Sequence, residues 1–286
     1  MAQPGFLKSG CSGVDVLDVT SLLPTLWVVD ALRIGVFGVL GLVIGSFLTV
    51  VIERVPRKES IVAPRSRCPR CGTEIRARDN VPLFSYLALR GRCRSCGARI
   101  SPLYPLVELA TAGLFAGVGA AFPRLVPAAM VAAFVGLLVA VAVIDVRHRI
   151  IPNRIVYPSF VAFAVLVVVG AVAGQGLDAG RAGIGLAAFG GGLLVVALVS
   201  PRGMGMGDVK LAGLIGLVLG SLGLSYVAVA AAAAVLAGGL GSVATLAVSG
   251  GGRGKQIPFG PYLAVGALVA AFAAPHLAAA YLRLLH

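Results

Sequence analysis

The sequence predicts an all-α polytopic membrane protein with about eight transmembrane helices and a small zinc-binding loop module on the cytoplasmic side. Of the 286 residues, 58% are hydrophobic and only 12% are charged, and the mean hydropathy is +0.98. A soluble domain would have about a quarter of its residues charged. The apolar residues form long blocks without alternation, which favours membrane-spanning helices over a transmembrane barrel.

Eight hydrophobic blocks follow one another along the chain. A helix needs about 20 apolar residues to cross a hydrocarbon core about 30 Å thick. The first block is too long for the core of a signal peptide, so it is predicted to be a retained helix. The sixth is short and rich in glycine, which we interpret as a broken or partly re-entrant helix. The blocks cover residues 28–52, 102–122, 126–145, 155–174, 183–200, 209–222, 224–248 and 258–282.

The basic residues indicate how the helices are oriented. The net charge is +13, but 19 of the 24 Lys and Arg residues lie in four segments between the blocks: 53–101, 146–154, 201–210 and 249–257. The positive-inside rule predicts that these segments are cytoplasmic and that both termini lie outside. We therefore interpret the charge as a topology signal, with anionic lipid headgroups as an additional partner and no role for nucleic acid.

Four regions follow from the blocks and the charges. Residues 1–27 are predicted to form an outside segment, 28–52 the first transmembrane helix, 53–101 a cytoplasmic module and 102–286 a transmembrane core. A module of this size rarely folds around an apolar core alone, so it is expected to need a metal or disulfides.

Four cysteines in that module predict a metal centre. Cys68 and Cys71 form one C-x-x-C-G motif, and Cys93 and Cys96 form a second. Two such motifs can aim four thiolates at one Zn²⁺, and a site closed by four thiolates is structural. Disulfides are disfavoured in a reducing cytoplasm, and buried or redox-active thiols are the remaining alternative. Cys11, outside the module, is given no role.

Two acidic residues lie at the cytoplasmic ends of hydrophobic blocks. Asp145 closes the third block and Asp208 opens the sixth. If their helices adjoin, one carboxyl keeps a proton while the other acts as a base, a pair that can activate water. The structural alternatives are ion pairs with adjacent basic residues and, for Asp208, a helix cap. Glu108 is a third acid within a block and a candidate contact for a substrate or cofactor.

A series of short motifs accompanies these acids in a fixed order. As a set they resemble the type IV prepilin peptidases, also called leader peptidase/N-methyltransferases, over about residues 35–270. The G-x-G-D motif of that family is matched by Gly205, Gly207 and Asp208, followed by Lys210. The remaining matches are Gly45-Ser46-Phe47-Leu48, the two cysteine pairs, Tyr104-Pro105-Leu106-Val107-Glu108-Leu109, Asp145 with Pro152 and Asn153, and Ile257-Pro258-Phe259-Gly260-Pro261. Thr49 stands where the family usually has asparagine.

The resemblance implies a function and assigns further residues. Members of the family cleave the basic leader of type IV prepilins and type II secretion pseudopilins in the bacterial inner membrane, using the aspartates that match Asp145 and Asp208. Members with the cysteine loop then methylate the new N-terminus with S-adenosylmethionine, and Gly91 and Arg92 match a position that the family uses for methylation.

Three alternatives remain open from the residues alone. The first is another intramembrane aspartyl protease of the presenilin or preflagellin type, which would not be expected to carry the cysteine loop. The second is a non-enzymatic transporter or assembly factor with a zinc-stabilised docking loop. The third is a peptidase that does not methylate its product.

Overall fold

The structure, a computed structural model, describes residues 19–200, 204–249 and 258–284. Within these ranges the chain forms helices and no strands, apart from two isolated bridges in the loop module. A 3₁₀ turn, Ala77–Asp79, and a π-helical turn, Leu186–Gly190, complete the fold. The helices are α1 Val19–Arg54, α2 Phe84–Ala88, α3 Leu103–Ala121, α4 Leu125–His148, α5 Asn153–Val172, α6 Ala179–Gly185, α7 Gly191–Val199, α8 Met206–Leu222, α9 Leu224–Ser249 and α10 Gly260–Leu284.

All eight predicted blocks are helical, and the fold class is confirmed. Six helices in the described ranges are long and apolar enough to cross a membrane: Val28–Arg54, Leu103–Ala121, Leu125–His148, Asn153–Val172, Ala179–Val199 and Leu224–Ala244. The other two blocks are α8, which has 17 residues, and α10, whose apolar part is Gly260–Ala274. Helix α1 begins at Val19, before the predicted start at residue 28.

The prediction of a broken sixth helix was wrong. Helix α8 is a continuous α-helix, and almost all of it from Val209 to Ser221 is buried. Its glycines allow close packing instead: a Cβ at Gly216 would collide with the backbone of Gly185, and a Cβ at Gly190 would lie 2.7 Å from Cα of Gly213. The irregular backbone lies in the fifth block, where a π-helical turn joins α6 to α7.

Two central helices carry the predicted acids. Helix α4 contributes fully buried side chains such as Phe134, Leu138 and Ile144, and α8 contributes Leu214 and Ile215. Both helices pack against α5 and α10, which join them into one core. The peripheral helices present apolar side chains outward, as expected for a surface that faces lipid.

Long-range contacts collect the connecting segments at two opposite ends of the bundle. At one end, Arg33 donates a hydrogen bond to the Gly119 carbonyl, 2.5 Å away. At the other, Arg154 donates to the Lys58 carbonyl at 3.3 Å, and Arg147 forms an ion pair with Glu53. The segments rich in basic residues therefore share one end, which is the arrangement that the charge count predicts.

Candidate functional site

Asp145 lies in the last turn of α4 with 5% of its surface exposed. The backbone N–H of Gly260, at the start of α10, donates a hydrogen bond to its Oδ2 at 3.0 Å. A Cβ at Gly260 would lie 2.6 Å from that oxygen, closer than real Cβ contacts come. Only glycine therefore brings a backbone donor this close to the Asp145 carboxyl.

Asp208 lies in the first turn of α8 and is half-buried. Helix α8 is preceded by Gly205, so Asp208 is inside the helix rather than at its N-cap, and its N–H donates to the Gly205 carbonyl at 3.1 Å. The Asp208 carboxyl is near enough to Asp145 to interact with it electrostatically. The two acids that the sequence singled out thus lie close together, although 63 positions separate them in the chain.

A second contact joins the segments that follow and contain these acids. Lys210 donates to the side-chain oxygen of Asn153 at 3.2 Å and lies 4.9 Å from the ring centre of Tyr157. Gly207 abuts Ile151, and a Cβ on this glycine would come within 3.0 Å of the isoleucine side chain. The residues after Asp145 are therefore held directly against the G-x-G-D segment. Pro152 takes the N-cap position of α5.

The basic residues near the acids are used elsewhere, so the ion-pair alternatives are wrong. Arg147 pairs with Glu53 on α1, and Lys210 bonds Asn153. Among the described residues, neither Asp145 nor Asp208 forms a salt bridge. Two neighbouring carboxyls without a cation between them cannot easily ionise together, and such a pair can hold one proton and offer one base.

The four cysteines form two nearly identical turns. In the first, the N–H of Gly72 donates to the Cys68 carbonyl at 2.9 Å, and in the second, Gly97 donates to Cys93 at 2.9 Å. Both glycines have a positive φ, +71° and +70°, which favours glycine at these positions. All four Sγ atoms lie within 4.8 Å of one another, and those of Cys68 and Cys96 are 3.9 Å apart. Tetrahedral zinc–thiolate coordination places sulfur atoms about 3.8 Å apart, so the donor set fits one ion.

The thiols also show why an ion belongs among them. The hydroxyl and N–H of Thr73 lower the pKa of Cys71 to about 6. The Ala98 N–H acts in the same direction on Cys96, but desolvation and the neighbouring thiols raise the pKa of Cys96 to about 11. Without a cation the cluster therefore resists full ionisation, and a divalent ion would offset the charge of four thiolates.

A cavity of about 1240 Å³ separates this cluster from the membrane helices. Its wall is built from the end of α1, the start of α3, the loop module and Arg147. Arg92 and Glu108 line it, whereas Gly91 lies behind Tyr86, with a φ of +65°. Neither Asp145 nor Asp208 lines this cavity, so the acid pair and the predicted methylation residues occupy different places.

Sequence reasoning missed two contacts of the site. The hydrogen bond from Gly260 to Asp145 joins two motifs that we had recognised separately, and the ion pair of Glu53 with Arg147 joins α1 to α4. Both contacts are long-range, and no local pattern indicates them. Thr49, the departure from the family motif, donates its hydroxyl to the Ser46 carbonyl at 2.7 Å within its own helix.

Fold and site together define a multi-pass membrane protein with a buried-edge carboxyl pair and a separate tetracysteine centre. Comparison with known families identifies two regions of the chain. Residues 39–122 match the Bacterial Peptidase A24 N-terminal domain, and residues 132–243 match the Type IV leader peptidase family. No solved structure matches the chain significantly.

Several characterised bacterial proteins are similar over most of the chain. The prepilin leader peptidase/N-methyltransferase of Bacillus subtilis is 38% identical over 238 residues, which cover 81% of this chain and 91% of the relative. The protein of that name from Pseudomonas aeruginosa is 34% identical and covers 81% and 87%, respectively. The one from Myxococcus xanthus is 53% identical over 127 residues, 43% of this chain and 37% of the relative.

The chain therefore belongs to the type IV leader peptidase family. It is accordingly an enzyme, a membrane peptidase, and the interpretation as a non-enzymatic transporter or assembly factor is set aside.

Replacing one cysteine tests the metal centre. We expect purified protein to hold one Zn²⁺ per chain and Cys68→Ser to lose most of it, because three thiolates bind zinc more weakly than four. The measurement is elemental analysis after dialysis against a mild chelator. Cys11→Ser, the same change outside the cluster, should keep the wild-type content. Wild-type protein without zinc, or a Cys68→Ser variant that retains it, would contradict the assignment.

Proposed function

We propose that this enzyme removes the basic leader peptide of type IV prepilins and pseudopilins, with Asp145 and Asp208 as the catalytic pair. The observation that carries the proposal is the proximity of these carboxyls at the ends of two central helices, free of any salt bridge in the described ranges. The names of the similar proteins from Bacillus subtilis and Pseudomonas aeruginosa support the choice of substrate.

The geometry favours a division of roles between the two acids. The Gly260 N–H bonds one oxygen of Asp145 and holds the carboxyl in place. In the proposed reaction, one carboxylate takes a proton from a water molecule, whose oxygen attacks the scissile carbonyl carbon, while the protonated partner donates to the carbonyl oxygen. Collapse of the tetrahedral intermediate breaks the C–N bond, and the leaving amine takes the proton that came from water.

The reaction is proposed to occur at the cytoplasmic face of the inner membrane. The support is the concentration of 19 of the 24 Lys and Arg residues in segments that adjoin Asp145, Asp208 and the loop module. Contacts of Arg154 with Lys58 and of Arg147 with Glu53 join these segments at one end of the bundle. The basic segments are also suited to bind anionic lipid headgroups, each well-placed cation contributing about 1 kcal/mol.

A second activity, N-methylation of the new N-terminus, is favoured by the cavity beside the loop module. Its volume exceeds the roughly 300–1,000 Å³ of common small-molecule sites, so S-adenosylmethionine has room there. This ligand, when bound, supplies a methyl group on a positively charged sulfur, and the cavity contains a buried carboxyl, Glu108, that suits a cationic ligand. Arg92 lines the wall, and Gly91 gives Tyr86 space at that wall. Zinc in the cysteine cluster would be structural, since four thiolates leave no open coordination position.

The catalytic pair can be tested by replacing each acid with its amide. We expect Asp145→Asn and Asp208→Asn each to lower leader cleavage by about 10²–10⁴-fold, because an amide can neither accept nor donate the proton as required. Cleavage of a purified prepilin by the enzyme in detergent micelles is followed by gel shift. Asp178→Asn, at the cap of α6, serves as the matched control because asparagine caps helices equally well. Wild-type cleavage by either amide variant would refute the assignment.

Gly260→Ala tests the hydrogen bond that holds Asp145. A Cβ there would displace the carboxyl, and we expect leader cleavage to fall about 100-fold, the effect of a misplacement of about 1 Å. Single-turnover kinetics on prepilin measure the rate directly. Gly239→Ala adds the same methyl group in open space and should cleave at the wild-type rate. A Gly260→Ala enzyme as fast as wild type would show that this contact does not position the acid.

Methylation is tested on the cleaved product. With S-adenosylmethionine present, we expect mass spectrometry of the mature pilin to show the added mass of one methyl group at the N-terminus. The same reaction without the donor is the control and should yield the unmethylated product. Cleaved but unmethylated pilin in both reactions would favour the alternative of a peptidase without methyltransferase activity.

A further inference from the structure

We propose that Glu108 binds the cationic group of a ligand in the cavity between α1, α3 and the loop module. The group is either the charged sulfur or ammonium of S-adenosylmethionine or the new N-terminal ammonium of the cleaved pilin. This inference rests on the proposed methylation and assigns a residue to it that is separate from Gly91 and Arg92.

The position of Glu108 is fixed by two neighbouring elements. Its side chain is 7% exposed, and Oε2 accepts a hydrogen bond from the Leu83 N–H at 2.7 Å. On the other side, α1 packs so closely that a Cβ at Gly45 would lie 2.8 Å from Cα of Glu108. The carboxyl is therefore held between the membrane helices and the loop module.

One oxygen of this carboxyl is open to the cavity. In the part of the chain that the structure describes, every fully buried side-chain nitrogen or oxygen has a hydrogen-bond partner. The structure gives Glu108 one such bond, and it uses Oε2. Since Glu108 lines the cavity, Oε1 is the oxygen that faces its interior and can meet a ligand.

Glu108 also differs in charge balance from the other acids of the cavity wall. Glu53, Glu74 and Asp79 each have an arginine within 4 Å, and Glu59 is exposed to solvent. Glu108 is buried and has no salt bridge within the described ranges. A buried carboxylate without a counter-ion is costly, and a cationic ligand would remove that cost.

The surrounding side chains suit the same kind of ligand. Tyr86 and Tyr104 line the cavity together with Glu108. Aromatic rings attract ammonium and related cations through the negative faces of their π systems. A cavity with one buried acid and two tyrosines therefore favours a positively charged group next to an apolar or aromatic body.

The test compares wild type with Glu108→Gln in the full-length protein in detergent. Titration calorimetry with S-adenosylmethionine alone measures donor affinity, and methylation of pre-cleaved pilin gives KM for the acceptor. If Glu108 binds the donor, its dissociation constant rises about tenfold or more, the effect of losing a hydrogen bond to a charged group. If Glu108 binds the acceptor, donor affinity is unchanged and the acceptor KM rises by a similar factor. Either result supports the proposal.

Two further variants keep the test decisive. Glu59→Gln removes an exposed acid from the same wall and should leave both quantities unchanged. Glu108→Asp keeps the charge, should restore part of the lost affinity, and replaces Glu108→Gln in both measurements if the latter unfolds at a lower temperature. Donor affinity and acceptor KM of Glu108→Gln within twofold of wild type would overturn the inference alone. Wild-type protein that neither binds the donor nor methylates pilin would instead reject the proposed methylation itself.

Discussion

The arrangement of the site depends on the hydrogen bond from the Gly260 N–H to the Asp145 carboxyl. A carboxyl buried at the edge of an apolar bundle needs a polar partner, and an arginine or lysine would be the usual one. Here a backbone N–H takes that place, so the carboxyl is held without a full positive charge beside it. A cation would keep Asp145 ionised, whereas a neutral donor leaves it able to share a proton with Asp208.

The same constraint explains where the neighbouring basic residues go. Arg147, two positions after Asp145, turns to Glu53 on α1, and Lys210, two positions after Asp208, turns to Asn153 and Tyr157. Each of these contacts joins two helices at the end of the bundle where the acids lie. The cations thus stabilise the assembly of the site and remain paired away from the two carboxyls.

Much of this could be predicted from the sequence, because the relevant signals are local. Hydropathy predicted the helices, and the C-x-x-C-G spacing predicted the cysteine cluster, since the glycine after each pair adopts the positive φ that closes the turn. The shape of α8 could not be predicted, because glycines that break a helix and glycines that let two helices touch look alike in a single chain. Only the packing partners, Gly185 and Gly190, distinguish the two cases. The bond between Gly260 and Asp145 was missed for a related reason, since it depends on the relative placement of α4 and α10.

The cavity and the acid pair are separate, yet one helix end serves both. Asp145 belongs to the pair, and Arg147 on the next exposed positions of α4 forms part of the cavity wall. Under the proposed function, the amine produced at the acids arises close to the border of the cavity that would methylate it. A substrate whose apolar helix stays in the membrane would then need only a short movement of its new N-terminus past the Glu53–Arg147 ion pair. Because that ion pair joins α1 to α4, it lies where the boundary between the two proposed activities would open.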